Sequence, residues 1–348
     1  MQSTSPPPAI TDNELARLRH RAVMLCIVTT LTVATIEVFL GVAFRLVSVT
    51  AEGIHTAADL ADSLVALVLV RLASRPADRT HPFGHGKFDS LAAIIEGSVV
   101  AVSGVWAGWR ATAVLLGLAV ADPRPEPITL VCMGAASVIY VVVSRRVMRL
   151  ARQTHSPAVF AEAMHLRTHI YITLGLLAAL AVSRAGLKWG WSFATRVDSV
   201  TALVLGTYLI TVGWRIIVPG YRQLMDAALP DDEVARITAA LEAFRSEFVE
   251  VHGMRTRRSG TDRHVDIHLV VDADTTVRDA HALSHRIEAA LTTALPSTRL
   301  LVHIEPADGQ LLEEYSTRNR VGAVFTPSEN PHEREAAHGE MAARPGER

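Results

Sequence analysis

The strongest constraint in this sequence is a series of long apolar stretches between Ala22 and Val218. There are six of them, each 17 or more residues long, and none follows Tyr221. At a rise of 1.5 Å per residue, a helix of this length can cross a hydrocarbon core of about 30 Å. The sequence therefore predicts an α-helical membrane protein with six transmembrane helices, and it excludes a wholly soluble protein. The spans are expected at about 22–44, 47–70, 89–117, 128–144, 157–183 and 197–218.

The basic residues between these spans predict the orientation of the chain. An even number of spans places both termini on one side, and the positive-inside rule assigns the more basic side to the cytoplasm. One side has 11 basic residues, namely Arg17, Arg19, Arg21, Arg71, Arg75, Arg79, Lys87, Arg145, Arg146, Arg149 and Arg152. The other has 5, namely Arg45, Arg124, Arg184, Lys188 and Arg196. Both termini are therefore expected to face the cytoplasm from the cell inner or plasma membrane.

Residues 226–306 have the pattern of a compact α+β domain on the cytoplasmic side. A helix is expected after Pro230, because three acidic residues in its first turn suit the helix dipole. Alternating apolar residues indicate strands, and helical spacing returns between the second and third of them. The expected order is α-β-β-α-β, with both helices on one face of the sheet. The elements are expected at about 231–248, 252–257, 262–272, 276–293 and 300–304.

The residues outside these two regions are polar and show no periodicity. We therefore predict four segments in all: a disordered N-terminal tail (1–20), the membrane domain (21–222), the α+β domain (226–306) and a disordered C-terminal tail (307–348).

Ionisable residues inside two spans indicate a metal site within the membrane. A charged side chain near the bilayer centre costs about 2.5–3.5 kcal/mol on insertion scales. The second span nevertheless contains His55 and Asp59, and the fifth contains His165 and His169. Each pair is spaced i and i+4 on one helix face, and both lie near mid-membrane. Three imidazoles and one carboxylate make four ligands, the number that Zn²⁺ takes in a tetrahedral site. The alternative is a set of polar contacts between packed helices.

A second group of possible ligands lies on the first cytoplasmic loop. Asp78, His81 and His85 are close in sequence, and the glycines among them allow the loop to fold tightly. They could converge on a second metal ion, although a solvated loop explains the same spacing equally well.

The histidines of the α+β domain fall on the expected strands and second helix. On the central strand, His268 faces away from Ile267 and Leu269, and on the last strand His303 and Glu305 share the outward face. Imidazole and carboxylate groups on an exposed sheet face suit Zn²⁺ or a similar divalent ion. The other histidines considered are His252 at the start of the first strand, and His281 and His285 on the helix. Exposed surface histidines without a metal are the alternative.

Several of these motifs together resemble the cation diffusion facilitator family. The resemblance covers about residues 20–306 in order and rests on the stretches Ala51–Asp59, His81–Lys87, His165–His169, Val251–Arg257 and Val302–Pro306. It implies a homodimeric exporter of Zn²⁺ or a related divalent ion, driven by proton antiport. It also implies six transmembrane helices and a cytoplasmic metallochaperone-like α-β-β-α-β domain.

The resemblance also implies roles for individual residues. His55, Asp59 and His165 match the transport ligands of the family, whereas His169 stands where the family usually has aspartate. Asp78, His81 and His85 match a loop metal site found in part of the family. The cytoplasmic metal cluster, which bridges protomers in the family, is matched by His252, His268, His281, His303 and Glu305. His285 has no counterpart and is expected to be a surface residue.

The expected mechanism follows from imidazole chemistry. Imidazole binds metal only when deprotonated and titrates near neutral pH, so the transport site can exchange protons for metal during alternating access. The alternatives are an exporter of Co²⁺ or Ni²⁺, a membrane metal sensor without transport, and an intramembrane hydrolase. No His-Glu-x-x-His motif is present, so we do not expect an enzyme.

The overall charge gives no reason to expect a nucleic-acid partner. The sequence has 34 basic and 35 acidic residues, a net charge of −1 and a pI of about 7.0. Binding to nucleic acid leaves a basic footprint on a domain. The expected partners are instead divalent metal ions, protons, membrane lipid and a second copy of the chain.

Overall fold

The computed structural model describes residues 12–44, 47–119, 127–191 and 196–307. The chain divides into two compact units that follow one another at Met225 and Asp226. The first unit is helical and the second has the predicted α+β character. The helices of the first unit are α1 (Asp12–Ala43), α2 (Val47–Ala73), α3 (Lys87–Leu115), α4 (Pro127–Thr154), α5 (Pro157–Lys188) and α6 (Val197–Leu224).

Most helices of the first unit have both the length and the composition of membrane spans. In the described part of the chain, five meet both criteria: Glu14–Ala43, Lys87–Leu115, Val131–Thr154, Pro157–Ser183 and Ser199–Leu224. Helix α2 has 27 residues, which is enough for a sixth span, and its polar residues include Asp59 and Asp62. The predicted fold class, a helical transmembrane domain followed by an α+β domain, is confirmed.

Helix α1 begins earlier than predicted, so the disordered tail predicted for 1–20 is wrong from residue 12 onwards. Arg19 is only 4% exposed, and its guanidinium donates a hydrogen bond to the Ser74 hydroxyl at the end of α2. The helix therefore starts before the apolar stretch does, because a buried polar contact stabilises its first turns. Residues 1–11 and 308–348, the rest of the predicted tails, lie outside the described residues.

Helix α4 extends about three turns beyond its predicted end near residue 144. Val147 and Ala151 are buried one turn apart, while Arg145 and Arg146 are exposed. The apolar composition of the span ends here, but the helical spacing of apolar residues continues as an amphipathic extension.

Glycine residues allow α3 and α6 to pack with their backbones in contact. A Cβ atom added at Gly104 would lie 2.6 Å from the Gly206 carbonyl oxygen. One at Gly213 would lie 2.6 Å from the Gly97 carbonyl oxygen. Small residues permit such close approach between membrane helices, where dispersion contacts replace the hydrophobic effect. Any larger side chain at these positions would force the two helices apart.

The second unit has the predicted α-β-β-α-β order. Its elements are α7 (Asp231–Glu242), β1 (Glu250–Ser259), β2 (Asp262–Val271), α8 (Val277–Ala294) and β3 (Thr298–Pro306). The strand order is β1-β2-β3, and β2 pairs with β3 in parallel. Strands β1 and β2 are antiparallel, because two connecting residues are too few for a parallel crossover. Both helices pack on one sheet face, where Ile237, Ile267 and Ile287 are buried.

Two boundaries in this unit differ from the prediction. Strand β1 covers ten residues instead of the six expected at 252–257. Helix α7 ends at Glu242 and is followed by a short 3₁₀ turn, so the helix predicted to reach residue 248 is too long. Phe248 is nevertheless 2% exposed and joins the same core. Its helical spacing from Leu241 reflected a shared buried face and not a continuous helix.

A buried ion pair holds α7 against the hairpin of β1 and β2. The Arg263 guanidinium donates to both carboxylate oxygens of Glu233, at 3.1 and 3.0 Å, and Arg258 donates to the same carboxylate. Burial alone would raise the pKa of Glu233, but the hydrogen bonds from Arg263 and Arg258 outweigh it and lower this pKa to about 2. The carboxylate therefore stays ionised in the folded domain.

We expect Glu233→Gln to lower the free energy of unfolding of this unit by about 3 kcal/mol at neutral pH. Because the folded pKa of about 2 lies below the ordinary 4.5, the stabilisation is complete above about pH 4.5 and is lost as the pH falls toward 2. Hydrogen exchange of the β2 amides, compared between wild type and variant at each pH, measures the difference. The exposed Glu242 on the same helix gives the control, Glu242→Gln. A difference that does not shrink on acidification would contradict the assignment.

Candidate metal centres

Three predicted transport residues come together between α2 and α5. The Asp59 carboxylate lies 3.4 Å from His169 Nε2 and 4.0 Å from His165 Nε2. One ligand atom from each of these residues lies within 4.8 Å of the other two. The three side chains are only 14–17% exposed. We call Asp59, His165 and His169 the intramembrane triad, and two imidazoles with one carboxylate are a ligand set for a divalent transition-metal ion.

The helical repeat of α5 explains how the two imidazoles come to lie side by side. His165 and His169 are four residues apart, and their rings have a centroid separation of 5.3 Å and an interplanar angle of 22°. The fourth predicted ligand, His55, lies in α2 one turn before Asp59. Its side chain lies outside the described residues, so its ligation stays a prediction.

Glu96 on α3 adds a carboxylate that was not predicted from the sequence. Its Oε1 lies 3.2 Å from His165 Nδ1, and the residue is 3% exposed. A metal-binding histidine commonly donates its other ring N–H to a carboxylate, which fixes the tautomer and the ring orientation. Glu96 therefore orients His165 so that Nε2 faces Asp59. The sequence did contain an indication of this role, because a glutamate inside an apolar span is rare without a function or a partner.

A cavity of about 130 Å³ lies beside the triad and contains a further buried carboxylate. Glu37 and His169 both line it, and the Thr56 hydroxyl donates a hydrogen bond of 2.9 Å to the Glu37 carboxylate. The Tyr140 ring, on the cavity wall, lies 5.1 Å from the His169 ring. His169 of the triad thus borders a partly open cavity between α1, α2, α4 and α5. Glu37, like Glu96, was not predicted from the sequence.

The predicted loop residues also converge. His85 Nε2 lies 3.4 Å from Asp78 Oδ2, and His81 Nδ1 lies 3.8 Å from Asp78 Oδ1. A hydrogen bond from the Thr80 hydroxyl, followed by one from the His81 backbone N–H, lowers the pKa of Asp78 to about 2. The positive φ of +83° at Gly84 allows the tight turn that brings His85 back toward Asp78. The loop therefore presents two imidazoles and a carboxylate that is ionised at neutral pH.

In the second unit, three of the five residues predicted for the cytoplasmic cluster form a compact group. Glu305 lies 2.6 Å from His268 Nδ1 and 3.4 Å from His252 Nε2. One ligand atom from each of the three lies within 4.8 Å of the others. Parallel pairing of β2 with β3 puts His268 opposite His303, whose Nδ1 lies 3.6 Å from Glu305. We call His252, His268 and Glu305 the sheet cluster, with His303 at its exposed edge.

Two neighbours support the sheet cluster and were not predicted. Glu250 Oε1 lies 3.3 Å from His252 Nδ1, on the side of the ring away from Glu305. Burial raises the pKa of Glu250, although the nearby His252 opposes this effect. Gly253 has a φ of +62°, and a Cβ there would come within 3.0 Å of the His268 ring. A residue without a side chain is therefore needed for His268 to occupy its position.

His281 does not join the sheet cluster within this chain. Its Nε2 lies instead 3.1 Å from Nε2 of His285 on the same helix. Helix α8 packs its buried Leu283 and Ile287 against the core face of the sheet, and the sheet cluster lies on the opposite face. The predicted membership of His281 is therefore not met by one chain alone.

A bundle of membrane-length helices with a buried imidazole–carboxylate triad is the architecture of an integral membrane protein that handles metal ions. The chain belongs to the cation efflux family, the cation diffusion facilitators. The family model of the cation efflux transmembrane domain matches residues 23–225, and that of the cytoplasmic domain matches residues 229–307. The predicted family is thus confirmed, and it is a family of cation efflux transporters.

Individual relatives agree with this assignment. The cation-efflux pump FieF of Yersinia pestis (strain Pestoides F) is 32% identical over 268 residues, which are 75% of this chain and 83% of FieF. FieF of Yersinia pseudotuberculosis serotype O:3 (strain YPIII) has the same identity and coverage. A solved structure of CzrB, described as a zinc transporter, in its Zn form is 42% identical over 23% of this chain and 91% of that one. Its TM-score is 0.22, too low to inform the fold.

We expect Glu96→Leu to weaken metal binding at the intramembrane triad by about 10- to 100-fold, because His165 loses the carboxylate that orients its ring. Glu96→Gln should bind more tightly than the leucine variant, since its amide oxygen still accepts a hydrogen bond from Nδ1–H. Competition titration of the purified protein with a fluorescent Zn²⁺ chelator measures the affinity. Glu162, a second buried glutamate bonded by Ser63, gives the control Glu162→Gln. Wild-type affinity in Glu96→Leu would show that His165 needs no such partner.

Proposed function

We propose that this cation efflux protein exports Zn²⁺ from the cytoplasm in exchange for protons, and that it works as a homodimer by alternating access. The observation that carries the proposal is the intramembrane triad, in which Asp59, His165 and His169 lie within ligand distance of one another. A buried carboxylate beside two imidazoles in a helix bundle is energetically costly unless a cation or proton occupies the group for part of the cycle.

The ligand chemistry favours Zn²⁺ over harder ions. Imidazole suits Zn²⁺, Co²⁺, Ni²⁺ and Cu²⁺, whereas Mg²⁺ and Mn²⁺ prefer oxygen ligands. The intramembrane triad offers two nitrogens and one carboxylate, and His55 one turn away on α2 would complete a tetrahedral set.

Proton exchange follows from the same ligands. An imidazole must lose its proton before its nitrogen can bind a metal ion, so metal entry releases protons from His165 and His169. The reverse exchange on the other side of the membrane returns protons to the site and releases the metal. Histidine is suited to this cycle because it titrates near neutral pH.

The cytoplasmic unit would sense metal and strengthen the dimer. The sheet cluster has donor atoms for one ion, and His303 at its exposed edge is available to a second copy of the chain. Metal bound there when the cytosolic concentration rises would join two copies and bias the membrane helices. Metal bound at Asp78, His81 and His85 would act at the cytoplasmic entrance, because the predicted orientation places this loop on that side.

The transport site is tested by removing its ligands one at a time. We expect Asp59→Ala and His165→Ala each to abolish Zn²⁺ uptake into inside-out vesicles under a pH gradient, because each removes a ligand from a buried site. Asp62→Ala is the matched control, since it removes a carboxylate from the same helix three residues away, outside the intramembrane triad. Uptake at the wild-type rate in either variant would refute the site. Wild-type metal binding without any uptake would instead support a sensor.

Metal selectivity is tested at His169, where the family usually has aspartate. His169→Asp adds a second carboxylate beside Asp59, so we expect Mn²⁺ uptake relative to Zn²⁺ to rise about tenfold, equivalent to about 1.4 kcal/mol. Competition between the two ions in the vesicle assay gives this ratio. His169→Ala is the companion variant, because near-normal transport in it would show that His169 only packs against Tyr140 and does not bind the metal.

A further inference from the structure

Two arginines on adjacent membrane helices have no part in the metal centres described above. Arg167 of α5 is half-buried, and Arg215 of α6 is exposed. Within the described part of the chain, neither guanidinium is paired with a carboxylate. A charged side chain in a membrane span is costly unless a group of opposite charge lies close to it. We propose that these arginines bind the phosphate of an anionic phospholipid in a groove between α5 and α6, independently of the transport activity proposed above.

A pair of tyrosines indicates that the two arginines lie along the same groove. The rings of Tyr171 and Tyr208 are in edge-to-face contact, with their centroids 5.3 Å apart. Arg167 lies four residues before Tyr171, and Arg215 lies seven residues after Tyr208. Both spacings return to the same face of a helix, so each arginine lies on the side of its helix that carries the tyrosine. Both guanidinium groups also act electrostatically on the Tyr208 hydroxyl, as expected for neighbours in one groove.

The antiparallel course of α5 and α6 puts both arginines on the same side of the tyrosine pair. A Cβ atom added at Gly175 would lie 3.0 Å from the Leu205 side chain, so later positions on α5 meet earlier positions on α6. From the tyrosines, the arginines therefore lie toward the start of α5 and the end of α6. At 1.5 Å per residue, Arg167 lies about 6 Å and Arg215 about 10 Å beyond the tyrosines along their helices. The chain continues from this end of α6 into the α+β unit, so this is the predicted cytoplasmic side.

The order of side chains along this groove matches the parts of an anionic phospholipid. A guanidinium donates paired hydrogen bonds to phosphate oxygens, and the long arginine side chain extends toward the headgroup level. Basic pockets between membrane helices on the cytoplasmic side bind anionic head groups in this way. On the other side of the tyrosines, Leu174 and Val204 are 55% and 62% exposed and continue the groove toward the bilayer interior. This apolar continuation suits acyl chains and gives a free phosphate ion no additional contact.

Native mass spectrometry of the full-length protein tests the proposal, with phosphatidylglycerol and phosphatidylcholine competing for the first bound lipid. If each arginine strengthens binding of the anionic lipid about fivefold, the wild type should prefer phosphatidylglycerol about 25-fold. Arg167→Gln and Arg215→Gln should each lower this preference about fivefold, and the double variant should bind both lipids about equally. Arg215→Lys should keep part of the preference, because an ammonium retains the charge without the paired hydrogen bonds. The matched control, Arg146→Gln, removes an exposed arginine of α4 near the same end of the bundle and should keep the full preference.

Four results would overturn the proposal. The first two are equal binding of both lipids by the wild type, and an unchanged preference in the double variant. The third is displacement of phosphatidylglycerol by an excess of inorganic phosphate, which would indicate a site for free anions. The fourth is dissociation of an oligomer in the double variant without added lipid, which would assign both arginines to an interface between two copies of the chain. Lipid binding is measured without transport, so a failure of this site is distinct from a failure of the transport function.

Discussion

The membrane unit depends on carboxylates held between largely apolar helices, and that of Asp59 faces both imidazoles of the intramembrane triad. A charge in this position is tolerated only where neighbours from other helices face it at the same depth. Helix α5 meets this condition with two imidazoles spaced by one helical turn, and α3 supports one of them with Glu96. The requirement to present these groups together restricts how α2, α3 and α5 can rotate relative to one another.

Much of the architecture could be predicted because its signals are local. Span lengths follow from runs of apolar residues, and the i, i+4 pairing of His165 and His169 follows from the helical repeat. The packing of α3 against α5 is part of the tertiary structure. The contact of Glu96 with His165 could therefore not be derived from residue spacing. The glycine contacts of α3 with α6 could not be derived from the sequence either. A glycine in a span permits close packing but does not indicate which helix it packs against.

In the α+β unit, too, local patterns could be predicted from the sequence and tertiary contacts could not. Alternation along β2 and β3 correctly placed His268 and Glu305 on the outward face, because strand periodicity fixes the side of the sheet. It could not place His281, because strand alternation does not apply to a residue of α8. Helical spacing wrongly predicted that α7 extends to Phe248. This residue lies beyond the end of α7 and still packs in the core.

The glycine contact between α3 and α6 has a mechanical consequence for the intramembrane triad. Carbonyl oxygens pack against glycines at two levels, Gly97 with Gly213 and Gly104 with Gly206. These contacts oppose sliding of one helix along the other. We therefore expect α3 and α6 to move together. Glu96 belongs to this pair of helices and His165 to α5, so any opening that separates α3 from α5 must stretch their contact of 3.2 Å. The imidazole would then be free to turn, and the ring orientation of a single histidine would report whether the bundle is open or closed.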